Sequence, residues 1–221
     1  MLRLLIVLTA LCLFPLQAGA QARYPLAADD GSPVANHPIP AGSTSEIVAM
    51  PGVIAVGNPR GDVTLVEFYD VNCPYCRKAA AELGELIQTD HGLKLVLVPF
   101  PVLGIPSIEA SRVELALAAV APAPTFYRFH RELYAGRGTV DGERALAAAA
   151  QLGFDRQKLI PAANTDQITE IMKAHVRLGN ALGLAATPSF VLGPTAIVGY
   201  PGRESLGKMV QSVRRCGQVT C

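Results

Sequence analysis

The feature that most constrains this chain is a Cys-x-x-Cys pair at the junction of two hydrophobic patterns. Cys73 and Cys76 enclose Pro74 and Tyr75. A β-branched, apolar run precedes the pair over residues 63–69, and apolar residues recur at helical spacing after it. Two intervening residues in the first turn of a helix bring both sulfur atoms within bonding reach. The pattern therefore predicts a dithiol redox site at a strand-to-helix junction.

A helix start also favours the reactive form of the first cysteine. Cys73 is expected at the positive end of the helix dipole, which stabilises a thiolate. Pro74 suits the first helical turn because its missing N–H has no partner there in any case. Arg77 and Lys78 are expected to add positive charge one turn later. Half of a zinc site is the alternative, and it requires a second ligand pair nearby in the fold.

The first residues have the pattern of a secretory signal peptide. A short positive start precedes a stretch over residues 4–14 that is apolar apart from Thr9, and Ala18 and Ala20 supply a small-x-small cleavage pattern. The apolar stretch is too short to span a bilayer comfortably. We therefore predict a cleaved signal peptide at residues 1–20, with an uncleaved anchor as the alternative.

Composition narrows the functional classes. The chain has 221 residues, of which 50% are hydrophobic, and a formal net charge of +1. These values fit one globular domain, or one domain with a sizeable insertion. Nucleic-acid binding normally requires a basic patch or stripe, so we predict no nucleic-acid partner.

The remaining cysteines point to an oxidising compartment. Cys12 lies in the apolar stretch and should be removed with the signal peptide, which leaves four cysteines in the mature chain. Export permits disulfides to persist, and we predict that Cys216 and Cys221 form a structural disulfide. Free or partner-reactive thiols are one alternative. A different class is a metal-binding protein that uses Cys73, Cys76, Cys216 and Cys221 as thiolate ligands for zinc or copper(I).

Patterns along the rest of the chain predict its organisation. Residues 21–52 read as an extended or disordered lead-in that ends in a short helix. Strand patterns assign residues 53–105 and 184–215 to one sheet domain. The helical pattern that continues through residues 106–183 predicts an inserted helical subdomain. Residues 216–221 form a C-terminal cysteine tail.

The element order and two motifs resemble the DsbA-like family of exported thiol-disulfide oxidoreductases. The motifs are Glu67-Phe68-Tyr69-Asp70 leading into Cys73-Pro74-Tyr75-Cys76, and Ala186-Thr187-Pro188-Ser189-Phe190-Val191-Leu192 near the end. The resemblance spans about residues 53–215. It implies an α/β thioredoxin fold with an inserted helical subdomain.

The resemblance also implies a role for each matching residue. Cys73 corresponds to the exposed nucleophilic cysteine and Cys76 to its buried partner. Pro188 corresponds to a cis-proline that faces the dithiol and presents Thr187 backbone groups to a substrate strand; a trans proline at a strand start is the alternative. Glu67 corresponds to a buried acid that relays a proton to or from Cys76. A strand-end carboxylate paired with a lysine is the alternative for Glu67.

Two departures leave the direction of disulfide exchange open. Tyr75 stands where strong oxidases of the family have histidine, so no imidazolium stabilises a thiolate between the cysteines. Thr187, not valine, precedes the predicted cis-proline. Both features are similar to isomerases and reductases of the DsbG type, yet those carry an N-terminal dimerisation domain and only the lead-in is expected here. We predict an enzyme that forms or exchanges disulfides, with a disulfide isomerase or reductase as the alternative.

The partners follow from the same resemblance. Unfolded or misfolded exported proteins are the expected substrates, and the expected location is the periplasm. A membrane redox partner must recycle the dithiol. We predict no organic cofactor, no bound metal and a monomeric state.

Overall fold

The computed structural model describes residues 24–221. The predicted signal peptide and Cys12 lie outside these residues. The strands are β1 (Ala35–Pro38), β2 (Ile54–Gly57), β3 (Val63–Tyr69), β4 (Leu93–Pro99), β5 (Ser189–Leu192) and β6 (Thr195–Val198). The helices are α1 (Ser43–Val48), α2 (Pro74–Thr89), α3 (Ile105–Ala118), α4 (Ala123–Ala135), α5 (Gly142–Gln151), α6 (Arg156–Ala163), α7 (Asp166–Ala181) and α8 (Arg203–Cys216). Within this part of the chain, no helix has the length and apolarity needed to cross a membrane.

The strands form one mixed sheet in the order β1-β6-β5-β3-β4-β2. β3 and β4 are parallel, and every other neighbouring pair is antiparallel. A parallel pair needs a crossover connection, and α2 provides it between β3 and β4. This mixture of strands and helices agrees with the predicted α/β class.

β3 is a central strand that buries both of its faces. Leu65 and Tyr69 belong to the larger core, which includes the apolar face of α2 and residues of α4 and α8. Val66 and Phe68 belong to a second core on the other face, which Ile47 of α1 also joins. Because successive side chains of a strand point to opposite faces, a nearly continuous apolar run is what a doubly covered strand requires.

Five helices, α3 to α7, lie between β4 and β5. Three of them begin with a side chain that accepts a hydrogen bond from a backbone N–H of the first turn: Asp141 for α5, Asp155 for α6 and Thr165 for α7. These caps satisfy donors that the helix itself leaves unpaired. Whether residues 106–183 act as a separate subdomain stays a prediction.

The lead-in is more structured than the sequence predicts. Residues Ala35–Pro38 form edge strand β1, which pairs with β6. The Asn36 side chain is buried and exchanges hydrogen bonds with the backbone of Tyr24. Backbone pairing with β6 therefore forms this strand, although its own sequence has low strand propensity.

One helical glycine marks a tight contact between α7 and the end of β4. A Cβ atom at Gly179 would come within 2.7 Å of the Phe100 ring. That ring is buried and packs edge-on against Phe68, with 5.8 Å between ring centroids. We predict that Gly179→Ala lowers the free energy of unfolding by about 1–3 kcal/mol through overpacking. Urea unfolding followed by circular dichroism measures this change.

The matched control is Gly207→Ala in α8. A Cβ at Gly207 meets only Leu86 Cδ1 at 3.7 Å, which is ordinary van der Waals contact. Replacing an interior helical glycine by alanine is then expected to be neutral or to stabilise by up to about 1 kcal/mol. Equal losses in the two variants would contradict the packing argument.

Candidate active site

The two cysteines lie at the junction between β3 and α2. Cys73 is the N-cap of α2 in an extended conformation, Pro74 is in the first turn, and Cys76 follows inside the helix. The backbone N–H of Cys73 donates to the carbonyl of Asp70 at 3.0 Å, which closes the turn after β3. Both cysteines are free thiols. The helix start therefore presents two unpaired thiols within one turn.

Cys73 is less exposed than the sequence predicts. Its side chain is 5% exposed, and Cys76 is completely buried. The expectation of an openly exposed Cys73 is therefore wrong. The reason is the segment opposite: the Thr187–Pro188 peptide bond is cis, and the Cys73 thiol donates to the Thr187 carbonyl at 3.0 Å. Pro188 is buried, whereas Thr187 is half-buried and forms part of the entrance to Cys73.

The surroundings of Cys73 favour its thiolate. Its pKa falls from the ordinary value of 9.0 to about 6, chiefly because the Cys76 thiol donates a hydrogen bond to it. Burial acts in the opposite direction. The Thr187 side chain and the backbone N–H groups of Cys76 and Tyr75 add to the lowering. The helix start thus contributes through its free N–H groups, as the sequence predicts.

The structure does not support the predicted contribution of Arg77 and Lys78 to Cys73, because neither is among the causes of the lowered Cys73 pKa. The Arg77 guanidinium instead binds the carbonyls of Tyr134 and Gly136 at the end of α4. Lys78 lies 3.7 Å from Glu82 on the next turn of α2. Sequence spacing places both cations near the dithiol but does not fix which way their long side chains turn.

Cys76 is held as a neutral thiol. Burial is the main reason that its pKa rises far above the ordinary value, and the hydrogen bond to Cys73 and the nearby Glu67 act in the same direction. The backbone N–H of Asp70 contacts the Cys76 sulfur at 3.5 Å. The two cysteines therefore differ in protonation at neutral pH, although they are only three positions apart.

Glu67 is a buried carboxyl group on the face of β3 that carries Leu65 and Tyr69. It is 1% exposed, and neither of its oxygens has a hydrogen-bond partner among the described residues. Burial, followed by the charge of Cys73, raises its pKa from 4.5 to about 8. The structure does not pair Glu67 with a lysine in the described part of the chain. An unpaired buried acid near the dithiol can hold or release a proton close to neutral pH.

Sequence reasoning missed Asp70, which organises the loop beside the dithiol. Its Oδ2 accepts hydrogen bonds from the backbone N–H groups of Val102 and Leu103, both at 2.9 Å. Its Oδ1 accepts from the Asn72 N–H at 2.8 Å and the Ser107 hydroxyl at 2.7 Å. One buried carboxylate therefore ties the turn before Cys73 to the loop after β4. Asp70 ends the sequence run that leads into the cysteine pair, and this position was the signal from which its role could have been predicted.

A second missed group comes from the helices between β4 and β5. Glu114 of α3 is fully buried and accepts a hydrogen bond from the Tyr69 hydroxyl at 2.8 Å. His130 Nδ1 of α4 lies 3.9 Å from the same carboxyl oxygen. Tyr134 donates to the Asp70 carbonyl at 3.3 Å. These helices thus supply polar groups to the layer beneath the cysteines, and a lone glutamate in an apolar stretch of α3 was the signal for it.

Tyr75 faces outward. It is 65% exposed, and it borders a shallow groove together with Lys78, Tyr200 and Pro201. The Tyr75 side chain therefore contributes to the outer surface of the site, whereas its backbone N–H contributes to the surroundings of the Cys73 sulfur.

The C-terminal cysteines are separate from this site. Cys216 and Cys221 are joined by a disulfide at the end of α8. Within residues 24–221, no group of three or more His, Cys, Asp or Glu side chains is arranged to hold a metal. The structure therefore does not support the four-thiolate alternative that also uses Cys73 and Cys76. The stapling role of this disulfide stays a prediction.

The hydrogen bond from Cys76 to Cys73 can be tested by titration. We predict that Cys76→Ala raises the pKa of Cys73 more than Cys76→Ser does, because only serine can still donate to the Cys73 sulfur. The ultraviolet absorbance of the thiolate, followed against pH, gives a midpoint near 6 for the reduced wild type. A Cys73→Ser variant identifies the signal. Equal midpoints in the alanine and serine variants would rule out this hydrogen bond as the main cause.

Glu67 should weaken the folded protein as pH rises. Because its pKa is about 8 when folded and 4.5 when unfolded, the folded state binds more protons between these values, and stability is lost as pH rises through that window. We predict that Glu67→Gln in a Cys73→Ser background, which keeps the burial of Glu67 but removes the charge of Cys73, raises the free energy of unfolding by about 2 kcal/mol at pH 7.

The Cys73→Ser parent is the control, because it removes the titration of Cys73, whose lowered pKa changes stability in the opposite sense. Urea unfolding across the range from about pH 4 to about pH 8 should show a gain that is absent at the acidic end and grows with pH. A gain that does not change with pH would argue against a buried, titrating Glu67.

A family model described as thioredoxin matches residues 50–212. Among solved structures, a thioredoxin-like oxidoreductase from Silicibacter pomeroyi DSS-3 is 31% identical, with a TM-score of 0.72, over 80% of this chain and 99% of its own. A periplasmic thioredoxin-like protein from Salmonella enterica serovar Typhimurium is 23% identical, with a TM-score of 0.70, over 80% of this chain and 98% of its own.

The thiol-disulfide exchange protein alpha-DsbA2 from Wolbachia pipientis is 23% identical, with a TM-score of 0.70, over 78% of this chain and 92% of its own. A comparison with curated protein sequences gave no significant match. The predicted fold class and the predicted superfamily are confirmed. Since the family model spans most of the chain, the protein belongs to the thioredoxin superfamily.

Proposed function

We propose that this protein is an exported oxidase that forms or exchanges disulfides in secreted or periplasmic proteins through Cys73 and Cys76. The observation that supports this most is the lowered pKa of Cys73, about 6. At neutral pH the thiolate is then the major form of reduced Cys73. Stabilising the reduced form makes the disulfide form a stronger oxidant.

In the oxidising direction, a substrate thiolate attacks the Cys73 sulfur of the Cys73–Cys76 disulfide. The bond to Cys76 breaks, and Cys76 leaves as a thiolate that takes up a proton. A second substrate thiolate then attacks the substrate sulfur of the mixed disulfide and releases the Cys73 thiolate. The substrate loses two electrons and gains a disulfide, and the protein dithiol carries both electrons.

Glu67 is suited to supply the proton that Cys76 needs. Its pKa of about 8 means that the carboxyl group is mostly protonated at neutral pH. Cys76 binds a proton tightly, because its pKa is raised far above that of a free thiol. Proton transfer from Glu67 to the leaving Cys76 is therefore favourable, and it removes charge from a buried site.

The surface around the cysteines suits an unfolded polypeptide. Thr187 lies directly opposite Cys73, with its carbonyl 3.0 Å from the sulfur. Tyr75, the loop residues Val102 and Leu103, and Ile105 at the start of α3 are four of the six large hydrophobic side chains that are exposed in the described residues. Exposed apolar surface of this kind commonly marks an interaction site, and unfolded substrates expose apolar segments.

The sequence pattern at residues 1–20 and the periplasmic relative from Salmonella support export to the periplasm. A membrane redox partner then reoxidises the dithiol after each turnover. A disulfide isomerase is the second candidate, and Tyr75 and Thr187 favour it because both occur in isomerases of the DsbG type.

The test uses a protein substrate in two forms. The oxidised enzyme is mixed with reduced, unfolded ribonuclease A, and the reduced enzyme with scrambled ribonuclease A. We expect oxidation of the first substrate, no oxidation with Cys73→Ser, and a trapped mixed disulfide with Cys76→Ser. The redox equilibrium with glutathione should give a potential above that of thioredoxin, which is about −270 mV.

The two candidates predict different results. Recovery of activity from scrambled ribonuclease, without oxidation of the reduced form, would overturn the oxidase in favour of an isomerase. Lack of reaction with both substrates would overturn the proposed function. A reaction that persists in Cys73→Ser would show that another group performs the exchange.

A further inference from the structure

A cavity on the described surface lies between α2 and α4. Its volume is about 600 Å³, and small side chains, among them Ala80, Ala81 and Ala135, form part of its walls. Arg77, beside Cys76, closes one side. A cavity of this size holds several amino-acid side chains, because ligand sites typically measure about 300–1,000 Å³.

Three arginines line this cavity against a single glutamate. Arg77, Arg128 and Arg131 are the cations, and Glu132 is the acid. Arg128 and Arg131 are three positions apart on α4, so both side chains project from the same side of the helix. Among the described residues, neither side chain has a hydrogen bond or an ion pair. The cavity therefore presents two unpaired guanidinium groups to solvent.

Arg77 has a different part in the cavity. Its guanidinium is anchored on the carbonyls of Tyr134 and Gly136 and lies over the Tyr134 ring, 5.9 Å from its centre. These contacts fix one wall of the cavity to the end of α4. The two cations that can bind a ligand without breaking such contacts are Arg128 and Arg131.

The cavity begins close to the reactive thiol. The backbone N–H of Arg77 donates to the Cys73 carbonyl at 3.1 Å, so the two residues are one helical turn apart. A turn advances by about 5.4 Å, and an extended chain by about 3.3 Å per residue. A polypeptide held at Cys73 therefore reaches the near end of the cavity, at Arg77, with residues close to its own cysteine, and residues farther along the polypeptide extend toward Arg128 and Arg131 on α4.

We propose that this cavity binds an acidic segment of the substrate polypeptide, a few residues from the cysteine that reacts with Cys73. The proposal rests on the proposed exchange at Cys73 and adds a substrate preference to it. Guanidinium groups bind carboxylates through paired hydrogen bonds, which makes arginine suited to Asp and Glu side chains. Unpaired positive charge also attracts an acidic chain before contact and so raises the rate of association.

The test compares three synthetic peptides that differ only in charge. Each contains one cysteine blocked as a neutral thiopyridyl disulfide, flanked by glutamate, glutamine or lysine. The Cys73 thiolate attacks the peptide sulfur and expels pyridinethione, whose absorbance reports the rate, and Cys76 then releases the peptide thiol. We expect the glutamate peptide to react on the order of ten times faster than the glutamine peptide at low salt, with the advantage lost at high salt.

The double variant Arg128→Glu, Arg131→Glu should bring the ratio of the glutamate to the glutamine rate to one or below. The matched control is Arg60→Glu, Arg215→Glu, which changes the net charge equally. Arg60 lies in the loop before β3. Arg215 is in the last turn of α8, and the adjacent Arg214 binds Asp62, which lies in the same loop as Arg60. Both control positions therefore lie at the end of β3 opposite the cysteines, and the control should keep the wild-type ratio.

The outcomes separate this proposal from the exchange reaction itself. Failure of the wild type to react with the glutamine peptide would overturn the proposed function. A normal reaction with a wild-type ratio of one would overturn only the acidic-segment proposal, and so would equal loss in the control. If the ratio is one and Arg128 and Arg131 are needed instead for binding to phosphatidylglycerol vesicles, the cavity faces an anionic membrane surface and the proposal is wrong.

Discussion

The whole site depends on the antiparallel pairing of β3 with β5. In this register Phe68 lies opposite Ser189, so the chain that leaves β3 and the chain that enters β5 meet at the same end of the sheet. That meeting places Thr187 opposite Cys73, although 114 positions separate them in sequence. A shift of one residue would turn every buried side chain of β3 to the wrong face. The core therefore fixes the alignment on which the chemistry depends.

Polar groups are buried beneath the cysteines at a cost to stability. Both oxygens of Glu67, the hydroxyl of Tyr127 and Nδ1 of His130 have no hydrogen-bond partner among the described residues. A buried polar group without a partner costs about 1–3 kcal/mol. An apolar core would be more stable here, but it would lack the carboxyl group of Glu67, whose pKa of about 8 lets it hold or release a proton near neutral pH. The protein thus keeps a proton-exchanging group beside the dithiol at a cost in stability.

The sequence predicts most regular elements because their local patterns and their packing agree. β3 covers the predicted residues 63–69 and α2 follows at the cysteine pair as predicted, since a continuous apolar strand and an amphipathic helix match the surfaces they bury. β1 could not be predicted, because its pairing with β6 is a backbone interaction between distant segments. The hydrogen bonds of Asp70, the direction of Arg77 and the burial of Cys73 also depend on distant segments, which local sequence patterns do not describe.

Asp70 allows the surface beside the dithiol to change without a change in the backbone of the loop after β4. It binds the loop after β4 through the backbone N–H groups of Val102 and Leu103, so the loop keeps its path whatever those two side chains are. Asp70 therefore determines the path of the loop, whereas the side chains of Val102 and Leu103 determine the character of its surface. Exchange of the exposed side chains can alter which polypeptides the protein prefers, while the carboxylate continues to hold the turn that leads to Cys73. Proteins that share this fold can therefore come to prefer different polypeptides while the geometry of the dithiol stays the same.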